Sequence, residues 1–120
     1  MGKFNRFEDI VAWQKSREIV NDIYDIFDNG IFKRDYVLQN QIVRASISIM
    51  LNIAEGFGRK TNKEFSQYLV IAHGSVSEVQ SALYIFLDRK YIDNNQFDSI
   101  YKKCTEVSCM LMGLIKYLRT

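Results

Sequence analysis

The sequence predicts an all-α fold, an antiparallel up-down-up-down four-helix bundle forming one domain over residues 1–120. Three observations carry this. No residue is proline, so long helices with short connections are the natural outcome. Apolar residues recur at three- and four-residue spacings in four successive segments, the repeat of a helix with one face in a core. Capping and turn residues separate those segments. With 48% hydrophobic and 25% charged residues, the chain can bury a core of its own, which sets it apart from disordered sequences.

Helix one is placed at about 8–28. Ala12, Trp13, Ser16, Ile19, Val20, Ile23, Ile26 and Phe27 form its stripe, and Asn29-Gly30 is a C-terminal stop. Lys33 and Arg34 follow in the loop, where they offset Asp25 and Asp28 at the unfavourable end of the helix dipole. Helix two, about 35–55, carries two stripes. Leu38, Ile42, Ala45, Ile49 and Ile53 form one, and Val43, Ile47, Met50 and Ala54 the other. A peripheral helix of a monomer needs one apolar face. The second implies either deep burial within the fold or another subunit, so a homo-oligomer is expected.

The stretch Leu51 to Arg59 ends helix two. Its Gly56 and Gly58 suit a turn with positive φ, and Arg59 suits the exposed carbonyls. Helix three, about 62–88, opens on a capping box of Thr61 and Glu64. Phe65, Leu69, Ala72, Val76, Val79, Leu83 and Phe86 then alternate by four and three, close to a heptad seam. Gly74-Ser75 interrupts it. A mid-helix glycine is unfavourable by roughly 1 kcal/mol against alanine, so close approach of another helix backbone is expected there. Helix four, about 94–118, opens on Asp93 and Gln96 and buries Phe97, Ile100, Cys104, Val107, Leu111, Leu114 and Leu118.

Little in this pattern resembles a reaction centre. The one histidine, His73, is without the paired Glu-x-x-His motifs of diiron bundles. Gly56-Phe57-Gly58-Arg59 follows a helix and lacks the lysine of a phosphate-cradling loop. Cys104 and Cys109, five residues apart on one helix, fit neither a metal knuckle nor a redox pair and read as reduced thiols. No enzyme activity, metal or cofactor is therefore expected. Glu55 and Glu78 are expected to be partly buried and paired with Asn52, Arg59, Ser75 or Arg44; general acid–base work by either carboxylate is the alternative. The N-terminus has no apolar leader, Arg6 stands where a myristoylation site requires serine or threonine, and no stretch approaches the ~20 apolar residues of a membrane span. These features place the chain in the cytoplasm.

Sixteen basic residues against 14 acidic ones leave a net charge of +2, a balance that names no partner until the charges are placed. In an antiparallel bundle one pole gathers Lys3, Arg6, Arg59, Lys60, Lys63, Lys116 and Arg119 against Glu8, Asp9, Glu55 and Glu64. The other mixes Lys33, Arg34, Arg89 and Lys90 with Asp28, Asp35, Asp88 and Asp93. Arg59, Lys60, Lys63, Lys116 and Arg119 are the candidate phosphate contacts. An ordinary solvated surface is the other reading of the same residues.

Leu51-Asn52-Ile53-Ala54-Glu55-Gly56, then Arg59, Phe65, Tyr68-Leu69, Ile71-Ala72-His73-Gly74-Ser75 and Glu78, resemble the bacterial four-helix bundle proteins encoded in 23S ribosomal RNA intervening sequences. The opening Phe7-Glu8-Asp9-Ile10 with Trp13-Gln14-Lys15 extends the resemblance over nearly the whole chain. Similar proteins include the accessory variability determinant of diversity-generating retroelements, a basic homopentamer that associates with nucleic acid and a reverse transcriptase. The resemblance implies an antiparallel bundle in a pentamer around a central channel, with no enzymatic activity. It gives Asn52, Glu55, Gly56, Gly74, Ser75 and Glu78 structural roles. The function expected is that of a nucleic-acid accessory factor, RNA before DNA, with a protein-interaction scaffold as the alternative.

Overall fold

The computed structural model describes residues 4–29 and 35–120. Four helices make up the described fold: α1 Val11–Asn29, α2 Tyr36–Phe57, α3 Asn62–Asp88 and α4 Asn94–Leu118. No strand occurs among the described residues. Helix α1 packs on α2 and α4, and α3 packs on the same two. Their apolar faces meet in one core within a body of 45 × 21 × 19 Å. Ile19, Ile23, Ile42, Ile49, Leu69, Val76, Leu83, Phe86, Cys104, Val107 and Leu111 are fully or almost fully removed from solvent. Each lies on a stripe read from the sequence.

The cross-helix bonds give the register. Asp35, at the start of α2, accepts from the Tyr91 hydroxyl at 3.2 Å, just beyond the end of α3. The Ser48 and Ser75 hydroxyls meet at 2.9 Å. Between α3 and α4, Gln80 meets Thr105 at 3.2 Å, His73 meets Ser108 at 2.9 Å and Ser66 meets Arg119 at 3.3 Å. Along α1 and α4, Lys103 pairs with Asp22 at 2.7 Å and Glu18 at 3.5 Å, and Lys15 with Glu106 at 3.7 Å. These pairs absorb part of the acidity of the first helix. The hydrogen bond it donates to Asp22 is the main reason the Lys103 ammonium is held above its usual pKa.

Several local expectations change. Helix one does not begin at Glu8: Phe7–Asp9 form a 3-10 turn, and Ile10 is extended before α1 starts. That extended residue carries the Ile10 side chain into the core, while Phe7 meets Trp13 edge-on at 5.1 Å. The Gly30 stop and the Lys33-Arg34 loop charges lie outside the described residues. Thr61 accepts from the Glu64 amide at 3.1 Å, but the Glu64 carboxylate does not return the bond, so only half of that box forms. Asp93 and Gln96 close theirs fully, at 2.8 and 2.9 Å.

The two glycines at the end of α2 are not in the left-handed region. The helix runs through Gly56, and Gly58 caps it at φ −76°. Gly56 is required for space: a β-carbon there would lie 2.7 Å from Tyr68 Cβ and 3.2 Å from the Phe65 carbonyl. Gly74 is the reverse case. It is exposed, and a β-carbon would meet nothing within 4 Å. The close helix approach expected at Gly74 within the chain does not occur, and its propensity cost of roughly 1 kcal/mol is uncompensated in the protomer.

A left-handed residue appears instead where no glycine stands. Lys90 has φ 61°. Its amide donates to the Leu87 carbonyl at 3.0 Å, and the Tyr91 amide donates to Phe86 at 2.8 Å, the paired bonds of a Schellman reversal. The Phe86 and Tyr91 rings meet edge-on at 6.0 Å, supplying the apolar contact that accompanies such a turn.

Candidate nucleic-acid interface

The reversal between α2 and α3, the end of α4 and Phe4 share one end of the molecule. A cleft of about 250 Å³ joins them, lined by Phe4, Phe57, Arg59, Lys60, Thr61, Asn62, Phe65, Leu114, Tyr117 and Leu118. Leu118 is shared with a second cleft of about 460 Å³ that holds Lys63, Ser66, Gln67 and Arg119. Arg119 is shared in turn with a third, of about 560 Å³, that adds Lys116. All five candidate phosphate contacts therefore lie around three contiguous clefts.

The arginines are oriented and the lysines are free. Arg59 donates to the Tyr68 hydroxyl and lies over the Tyr68 ring, 4.8 Å from its centre. That hydrogen bond holds the guanidinium pKa above its ordinary value. Tyr68 thus fixes the direction of the cation, a role the sequence did not reveal because the pair spans the reversal. Arg119 Nε donates to Ser66 Oγ at 3.3 Å. Lys60, Lys63 and Lys116 make no ion pair among the described residues. Arg6 is spent locally on Glu8 at 2.6 Å, and Lys3 lies outside the described residues. At the other pole Asp35 and Asp93 cap helices, and Arg89 and Lys90 are exposed.

The structural-motif residues divide into two groups. Asn52 donates to the Ser48 carbonyl at 2.8 Å and to its hydroxyl at 2.9 Å, and Ser75, almost buried, completes a polar seam between α2 and α3. Gly56 is buried in the same contact. Glu55 and Glu78 correct the expectation of buried, paired carboxylates. Both are exposed, and neither makes a hydrogen bond or ion pair among the described residues. Each points away from the core stripe of its helix, a direction the apolar neighbours along the chain concealed.

His73 and Ser108 share a hydrogen bond outside these clefts, and no carboxylate bonds to His73 among the described residues. No group of three or more potential metal ligands occurs among the described residues, and no described helix is long and apolar enough to cross a membrane. The two cysteines are free thiols, Cys104 buried and Cys109 exposed. Burial pushes the Cys104 thiol from 9.0 up to about 12. Below pH 9 folded and unfolded chains both keep this proton, but above it the unfolded chain releases the proton first. Stability is therefore expected to fall between pH 9 and 12. Denaturant titrations across that range should show a flatter decline for Cys104→Val.

A profile of the 23S rRNA-intervening sequence protein family matches residues 8–113. Among solved structures, the chain is similar to a protein of unknown function from the S23 ribosomal protein family of Bacteroides thetaiotaomicron, with a TM-score of 0.79 and 29% identity, covering 88% of this chain and 98% of that one. No curated protein matches. The profile match spans most of the chain and the likeness to that fold runs through all four helices, so the chain belongs to the 23S rRNA-intervening sequence protein family.

Proposed function

We infer that this protein is a non-enzymatic accessory factor that associates with nucleic acid, RNA before DNA, through its basic pole. The single observation that carries the reading is the gathering of Arg59, Lys60, Lys63, Lys116 and Arg119 around contiguous clefts at one end. Two oriented guanidiniums and three free ammoniums suit phosphates, and Phe57 and Tyr117 beside them suit unpaired bases. The register of the cross-helix bonds supports an antiparallel up-down-up-down bundle forming a single domain. The resemblance to accessory variability determinants supports a homopentameric ring, which would set five basic poles on one rim and multiply a small charge per chain. The proposed location is the cytoplasm, and no cofactor is invoked.

A fluorescence-anisotropy titration of a labelled hairpin RNA tests this. Wild type is expected to bind at low salt and lose affinity steeply as salt rises. A variant with Arg59, Lys60 and Lys63 all changed to glutamate is expected to bind at least about tenfold more weakly, since three phosphate contacts become repulsive. Absence of binding at low salt removes the RNA reading. The interaction scaffold then takes its place, favoured by exposed apolar residues such as Val37 and Leu51.

A further inference from the structure

We propose that the outer faces of α2 and α3 join copies of this chain, the α3 face of one docking on the α2 face of the next. The proposal rests on the oligomeric part of the function inferred above and names the surface that assembles it. On α3 the residues Ile71, Gly74, Glu78, Ser81 and Ile85 follow one another by three and four, and all are exposed. On α2 the positions Val37, Gln41, Arg44, Ser48, Leu51 and Glu55 do the same, exposed except for half-buried Ser48. Each is a second seam at heptad spacing, turned away from the core its own helix already serves. The bond between Ser48 and Ser75 places the two seams side by side.

Three features select a second copy as occupant. Large apolar groups stand in solvent, with Val37 85%, Leu51 60%, Ile71 52% and Ile85 49% exposed. Arg44 and Glu78 carry opposite charges at the middle of the two seams, and neither has an ion partner among the described residues. Docking α3 on a neighbour's α2 brings one to the other and offsets the desolvation of both. Gly74 stands in open space, so nothing in the protomer requires it, whereas a neighbouring helix pressed against that point does. Contact between two different seams can repeat from copy to copy and close into a ring when the rotation allows.

Sedimentation velocity over a wide concentration range, with circular dichroism on each variant, tests the surface. Wild type is expected to exceed the protomer mass. Gly74→Leu, whose side chain enters free space in the protomer, and Arg44→Glu are each expected to fall to the protomer mass while remaining helical. Combining Arg44→Glu with Glu78→Arg is expected to restore the wild-type mass. A wild type at the protomer mass throughout overturns both this surface and the oligomer inferred above. An oligomeric wild type whose mass neither single substitution changes overturns this surface alone, and a charge-swapped pair that stays at the protomer mass overturns the Arg44–Glu78 contact.

Discussion

Replacing Phe86 with alanine is expected to lower stability by about 3–5 kcal/mol, since it is the largest fully buried side chain among the described residues. Phe86 is fully buried near the end of α3. Its ring meets Phe27 of α1 at 6.1 Å and Tyr91 at 6.0 Å, and its carbonyl closes the reversal into α4. Truncation empties a volume that three segments share and removes the apolar contact of a turn that already holds Lys90 in the left-handed region. Shortening the side chain leaves the backbone bonds in place, so the cavity and the lost ring contacts dominate. For a chain of 120 residues, the loss corresponds to a fall in melting temperature of roughly 12–20 °C. A thermal melt followed by circular dichroism reads it directly, and a shift under about 4 °C would show that the neighbours collapse into the space.

Gly56→Ala is expected to destabilise despite its favourable helix propensity. Alanine in a helix interior gains up to about 1 kcal/mol over glycine. Against this, the new β-carbon would lie 2.7 Å from Tyr68 Cβ and 3.2 Å from the Phe65 carbonyl. Those atoms belong to the backbone of α3 or are bonded directly to it, so they can move only if the helix moves. Overpacking of this kind costs about 1–3 kcal/mol, which leaves a net loss of up to about 2 kcal/mol once the propensity gain is subtracted. Tyr68 also orients Arg59, and displacing it should weaken RNA binding beyond the change in stability. Denaturant melts and the anisotropy titration read the two effects separately, and a more stable variant would show that α2 and α3 can separate at no cost.

These two positions also mark what could be read from sequence. Phe86, Leu83, Val76 and Leu69 were legible because a helix repeats every 3.6 residues and the core selects one stripe. The N-caps at Thr61 and Asp93 were legible because capping is local. Glu55, Glu78 and Gly74 were misread because their surroundings depend on which side of α2 and α3 another helix covers, which no spacing along one helix states. Gly56 was assigned to a positive-φ turn, whereas its need is steric and comes from residues nine and twelve positions later. Arg59, Lys60, Lys63, Lys116 and Arg119 line neighbouring clefts, whereas Tyr68, which aims Arg59, could not be found from the sequence. An aromatic partner across a reversal leaves no periodic mark.

The seam of Asn52, Ser48 and Ser75 limits the ways in which two otherwise greasy helices can meet. Heptad seams are nearly degenerate: sliding α3 along α2 by one turn, about 5.4 Å, would set apolar residue against apolar residue again at little cost. After such a slip the Ser75 and Ser48 hydroxyls would lose their mutual bond and keep only partners on their own helices. Losing that bond costs about 0.5–1.5 kcal/mol, enough to bias the helices toward the observed alignment. The serines act as a key that admits one alignment, and that alignment is also the one that brings Tyr68 under Arg59 and the lysines of the pole together.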